Sequence, residues 1–203
     1  MQKMSLRVRR LLNDRSGLAA IEFAMIFPMM VVMFFGVLEL SSAISVDRKA
    51  TLVARTLSDL TSQTASVADA DITSFGEAAK AIMTPYPGSP LISSVTQVYV
   101  DATSGVARVQ WSKGLTISTT GTVAIAATAP HNPGDVVVLP TSLVAAKGTF
   151  VIWSEVSYKY TPTIGYVLAK TGITFNDAAF TRPRTVLCVI YPTSGFSNCS
   201  TPV

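Results

Sequence analysis

Arg15-Ser-Gly-Leu-Ala-Ala-Ile-Glu-Phe-Ala-Met-Ile-Phe-Pro-Met-Met-Val-Val-Met-Phe-Phe-Gly-Val-Leu38 is an apolar stretch of membrane-spanning length with one carboxylate, Glu22, near its start. The residues from Leu18 to Leu40, wound as a helix rising about 1.5 Å per residue, cover roughly 34 Å, against a bilayer hydrocarbon core of about 30 Å. Ahead of it stand Lys3, Arg7, Arg9, Arg10 and Arg15 with a single acid, Asp14. Such a basic cluster beside a first apolar helix holds the N-terminus in the cytoplasm, so the rest of the chain is expected to be exported.

Composition narrows what the exported part does. The chain has 203 residues and a net charge of +4. With one membrane segment subtracted, there is room for one extracytoplasmic domain with its own core. The five bases and one acid of residues 1–17 account for the whole excess charge, which makes it a topology signal and argues against a nucleic-acid partner. The two cysteines, Cys188 and Cys199, lie near the C-terminus, in the part predicted to be exported, where oxidation is permitted. A disulfide is the expected state, and closing so short a loop stabilises a fold by about 3 kcal/mol on a chain-entropy estimate.

The chain divides into a basic leader (1–17), an N-terminal helix (18–64) and an extracytoplasmic domain (65–203). Beyond the membrane segment (18–40) the helical pattern continues as an amphipathic stem (41–64). Val46, Ala50, Val53, Leu57 and Leu60 recur at spacings of four and three, with charged residues largely between them. The alternative is a break near Ser41-Ser42. Ile72, Phe75, Ala79 and Ile82 predict a second helix, capped by Asp69 or Asp71 and closed before Pro85, with Gly76 weakening it. After the rigid turn Pro85-Tyr-Pro-Gly-Ser-Pro90 the period becomes strand-like. Val95–Val100 and Val106–Trp111 flank Asp101-Ala-Thr-Ser-Gly105 as a hairpin. A weak strand is expected around Val123, followed by a loop at Pro130-His-Asn-Pro-Gly134. Further strands are expected over Phe150–Tyr160, around Ile173–Phe175 with Ala178–Thr181, and over Thr185–Tyr191 as a buried terminal strand. The fold class is therefore α+β.

Catalytic constellations are missing from this pattern. The single histidine, His131, stands in a Pro/Gly loop and reads as a solvated loop residue, without a local cue for a nucleophile–base pair. No phosphate loop, zinc spacing or calcium loop occurs, so neither a metal nor a cofactor is expected and the chain does not read as an enzyme. Trp111, Trp153, Tyr158, Tyr160 and Tyr166 suit strand packing better than a ligand platform.

Glu22 stands apart because its location costs free energy. A carboxylate at the centre of a spanning helix costs about 2.5 to 3.5 kcal/mol, which makes an acid in an apolar run a functional candidate. Only Leu18 to Ile21 precede it as apolar residues, so it also has access to the headgroup boundary. A cut after Gly17 would create an amine at Leu18, and Glu22 would become the fifth residue, able to pair with its own or a neighbour's N-terminus.

Gly17-Leu-Ala-Ala-Ile-Glu22-Phe23, followed by Pro28 in an apolar helix, resembles the class III signal of type IV pilins and pseudopilins, specifically the TadE-like minor pseudopilins of the Tad (Flp) tight-adherence pilus. Glu155-Val-Ser-Tyr-Lys-Tyr-Thr-Pro162 and Thr181-Arg-Pro-Arg184 resemble the C-terminal domain of TadE and TadG-like proteins. The resemblance implies cleavage between Gly17 and Leu18 by a prepilin peptidase, with Glu22 and Phe23 setting subunit register. It also implies a pilin-like antiparallel sheet domain, residence in a bacterial inner membrane with a periplasmic C-terminal domain, and pilin and pseudopilin subunits as partners. The chain is far longer than a major Flp pilin, which favours a minor component that primes or tips a pilus. The other function class is a membrane-anchored or secreted binding domain, for which Ser41-Ser-Ala43 offers a conventional signal-peptidase site.

Overall fold

The computed structural model describes residues 17–162 and 172–199, so the basic leader up to Ser16 and Tyr166 lie outside the described residues. Its elements are α1 (Leu18–Ser62), α2 (Asp69–Met83), β1 (Leu91–Val100), β2 (Ala107–Ile117), β3 (Val123–Ile125), β4 (Val136–Val137), a one-turn α3 (Thr141–Val144), β5 (Thr149–Tyr160), β6 (Ile173–Thr181) and a 3₁₀ turn at Pro192–Ser194. The chain is α+β: a long N-terminal apolar helix precedes an antiparallel sheet domain. Residues 17–42 belong to one compact unit, and residues 43–161 and 172–199 to a second.

α1 is 45 residues long and runs without interruption through Ser41-Ser42. Pro28 sits inside it, where the missing N–H leaves the Ala24 carbonyl without its usual helical donor. Within the second unit the 4-3 spacing of the stem is the buried stripe. Val46, Ala50, Val53 and Leu57 are buried in the main core, and Leu60 is half-buried. Each Val or Leu so buried contributes about 1.5 to 3 kcal/mol.

α2 has Ile72, Gly76, Ala79 and Met83 on its buried side. Its N-cap is Ala68 rather than Asp69 or Asp71, because Asp71 acts from the third helical position and accepts the Ala68 N–H at 2.8 Å. At the other end Lys49 of α1 donates to the carbonyls of Ile82 (2.6 Å) and Thr84 (2.8 Å), satisfying groups the helix leaves open. Gly76 is where α2 meets the sheet. A Cβ there would collide with Val123 Cγ1 and lie 3.2 Å from Leu115 Cδ2.

The sheet has six strands in the order β3-β2-β1-β5-β6, with β4 also pairing β2. The hairpin turn holds Gly105 at φ +72°, as an L residue rarely could. Gln97 pairs with Trp111 and Val98 with Val109, so Gln110 is the extra residue of a β-bulge. Alternation along the strands makes two cores. Val95, Trp111, Leu115, Ile152 and Tyr158 join α1 and α2 on one face, while Val98, Val100, Ala107 and Val109 meet Leu139 and the half-buried Leu143 on the other.

The segment 185–191 is not the terminal strand expected from its composition. It is irregular, with single bridges from Ile190 to Ser66 and from Tyr191 to Phe196. Cys188, Val189 and Tyr191 are nonetheless fully buried. Side chains supply what a ladder would have supplied: the Val189 N–H donates to Gln97 Oε1 at 2.7 Å, and Trp111 Nε1 donates to the Val189 carbonyl at 3.0 Å. The loop joining the two helices completes the set, with Val67 N–H donating to Ile190 O and Ile190 N–H to Ala65 O.

Candidate functional site

The N-terminal third of α1 is defined by what does not cover it. Leu18, Ile21, Phe23, Met25, Ile26, Phe27, Met29, Met30, Val32, Met33 and Phe34 are each at least half exposed. α1 is the one described helix long and apolar enough to cross a membrane, and that window is unburied. An exposed apolar surface of this extent, broken here by Glu22, suits a surrounding of lipid or other apolar helices. Phe23 and Phe27, one turn apart, lie with ring centroids 5.5 Å apart.

Gly17 precedes the first turn, and its carbonyl accepts the Ile21 N–H at 3.1 Å. Glu22 is exposed and has no hydrogen-bond or ionic partner among the described residues. It stands four residues after Leu18, and an (i, i+4) pair shares one helix face about 5 to 6 Å apart. A charged group created at Leu18 would therefore lie within reach of this carboxylate. Glu39, not singled out from the sequence, is buried near the far end of the same apolar run.

The structure brings Cys188 and Cys199 together as a disulfide with Cα atoms 5.8 Å apart. The tail folds back on Tyr191, whose N–H donates to Phe196 O at 2.8 Å. Tyr191 packs on Trp111 at 5.1 Å between centroids and donates its hydroxyl to Asp69. Burial first, then the Asp69 hydrogen bond and charge, push the Tyr191 phenol well above its ordinary value. Lys113 lies 5.0 Å over the Tyr191 ring and 3.8 Å from Asp69. Asp69 thus serves this corner of the core and not the helix cap.

His131 corrects the expectation of a solvated loop residue. It is half-buried, stacks on Trp153 at 4.8 Å and places Nε2 2.8 Å from Glu155 Oε2. Nothing local in Pro130-His-Asn-Pro-Gly134 announced this, because both partners lie on β5. Trp111, Tyr158 and Tyr160 are buried, as packing predicted, and Trp153 is half-buried between His131 and Phe180. Burial raises the Tyr158 phenol as well, and its hydroxyl donates to Pro87 O at 2.9 Å. Among the described residues no three His, Cys, Asp or Glu side chains gather as a metal site would require.

Comparison with curated proteins and with solved structures gives no match. The family model described as TadE-like protein matches residues 17–58, the span that begins at Gly17, contains the exposed apolar run and ends in the buried stripe of the stem. The match stops ahead of Glu155–Pro162 and Thr181–Arg184. Over residues 17–58 the chain is therefore similar to the TadE-like family.

Proposed function

We propose that the protein is a structural minor pilin or pseudopilin that takes part in assembling a Tad (Flp) type IV pilus as a priming or tip component, and that it is not an enzyme. One observation carries this reading: the TadE-like span contains an apolar helical surface left open from Leu18 onward, interrupted near its start by the carboxylate of Glu22, which has no partner among the described residues. Residues 18–40 anchor the chain in the inner membrane, the basic leader stays in the cytoplasm, and the sheet domain lies outside. A prepilin peptidase cuts between Gly17 and Leu18. Apolar helices of other pilin and pseudopilin subunits then replace lipid around α1.

In the assembled state Glu22 neutralises the amine at Leu18 of its own chain or a neighbour. Opposite charges about 4 Å apart attract by roughly 4 kcal/mol at an effective dielectric constant of 20, comparable with the cost of holding the carboxylate in lipid. The competing reading, release of a soluble domain by cleavage after Ala43, is disfavoured by the fold. Ala43 lies inside α1 and is buried in the main core, where a peptidase has no extended backbone to take.

N-terminal sequencing of the mature protein tests this. Leu18 is the expected first residue. Ile44 would establish the secreted domain, and Met1 would reduce α1 to a plain anchor.

A further inference from the structure

β6 (Ile173–Thr181) pairs with β5 over nine residues, and among the described residues no strand pairs with its other side. In an antiparallel pair alternate residues turn their main-chain groups toward the partner. The Ala178 N–H is taken by Asp177 Oδ1 at 2.7 Å, which puts Thr174, Asn176, Ala178 and Phe180 in the outward-facing set. Among the described residues no main-chain hydrogen bond reaches the outward groups of Thr174, Asn176 or Phe180. Edge strands are usually guarded by lysine, proline or a bulge. β6 has none of these, and its only charge is Asp177.

A cleft lies on each side of this edge. On the face away from α1 and α2 a space of about 760 Å³ reaches from Gly114 of β2 across Ser94 and Glu155 to Asn176 and Ala178 of β6. Among the described residues its charged lining is Glu155 and Asp177, with no lysine or arginine. Glu155 meets His131 Nε2 and, at 3.3 Å, the Ser94 hydroxyl. On the helix face a second cleft, about 500 Å³, lies between α1 and β6 and contains Arg55, Asp59 and Arg184. Asp59 is paired with Arg184, and Arg55 has no carboxylate partner among the described residues. The two sides of one strand edge therefore offer opposite charge.

We propose that β6 receives an extended segment of another polypeptide as a further strand, placing a lysine or arginine beside Glu155 and an aspartate or glutamate beside Arg55. Successive side chains of a strand point to opposite faces, so neighbouring residues of the added segment enter different clefts. Main-chain pairing supplies affinity and the clefts supply selection. Asp177 holds the Ala178 N–H until an incoming carbonyl takes it.

The test uses the full chain in detergent micelles and an acetylated, amidated, fluorescently labelled peptide, Thr-Val-Lys-Glu-Val-Thr-Val, followed by anisotropy. Saturable binding is expected, together with a loss of at least about tenfold when alternate peptide amides are N-methylated, since several main-chain bonds disappear. Ala178→Pro removes an outward N–H while sparing the β5 ladder, and it should cause a similar loss with unchanged circular dichroism and melting. Glu155→Gln and Arg55→Gln should each weaken binding roughly two- to fivefold. If Ala178→Pro disturbs the fold, the Glu155→Gln/Arg55→Gln double variant decides. Absence of binding, equal binding of the N-methylated peptide, or indifference to the charge variants would overturn the assignment.

Discussion

Trp111 Nε1 donates to the main-chain carbonyl of Val189 at 3.0 Å, with both residues fully buried, and this bond ties the irregular C-terminal segment to the middle of the sheet. Trp111→Phe keeps an aromatic ring but leaves that carbonyl without its donor, at a cost of about 1 to 3 kcal/mol. At about 2 to 4 °C per kcal/mol for a chain of this size, the melting temperature should fall by several degrees. A thermal unfolding curve that superimposes on the wild type would show that the bond holds nothing in place.

Gly76 and Val123 are coupled across the α2–sheet contact. Gly76→Ala raises helix propensity by about 1 kcal/mol, yet its methyl would collide with Val123 Cγ1, and overpacking of this kind costs about 1 to 3 kcal/mol. The single variant should be destabilised, and adding Val123→Ala should recover much of the loss. Equilibrium denaturation of the four proteins in a double-mutant cycle measures this, and strict additivity would exclude the contact as the cause.

The hairpin turn carries a pH dependence. The Ser104 N–H, followed by the Ser104 hydroxyl and the Thr103 N–H, donates to Asp101 and holds its carboxyl below the ordinary 3.8. A depressed carboxylate stabilises the folded turn above the unfolded value. That contribution is lost as pH falls below 3.8 toward the lower folded value. NMR titration of the Thr103 and Ser104 amides should give a midpoint under 3.8, and Asp101→Asn should flatten the profile. A midpoint at or above 3.8 would mean the turn does not favour the charged form.

Glu22→Gln removes the charge with little change in size. On the proposed function, the variant is expected to insert in the membrane and, if the wild type is cut after Gly17, to be cut there too, yet to co-purify poorly with pilus subunits and to support fewer surface fibres. Normal fibre numbers would end the pairing role, whereas failed processing would move the role of Glu22 to peptidase recognition.

What the residues determined alone is what depends on neighbours in sequence. The apolar run and the 4-3 spacing from Val46 to Leu57 predicted helix on both sides of Ser41-Ser42, because helical periodicity is a local property, and the structure joined the two into one α1. Asp101 to Gly105 carry their own turn chemistry, and β1, β2 and β5 follow from β-branched and aromatic runs on either side. Glu22 was legible as a candidate because a charge in an apolar run is costly wherever the chain goes.

The tertiary structure decided the rest, and each case concerns a partner far away in sequence. Composition predicts a buried strand over Thr185 to Tyr191, whereas in the structure Leu187 is exposed and Cys188, Val189 and Tyr191 are buried, and burial does not say whether a ladder or side chains will satisfy the main chain. Here Gln97 and Trp111 occupy both main-chain groups of Val189 in place of a neighbouring strand. Gly76 reads as a flaw in a helix until Val123 comes to lie against it. His131 reads as solvated until its loop lies on Trp153 and Glu155, since a lone side chain has no periodicity to reveal the surface it will meet.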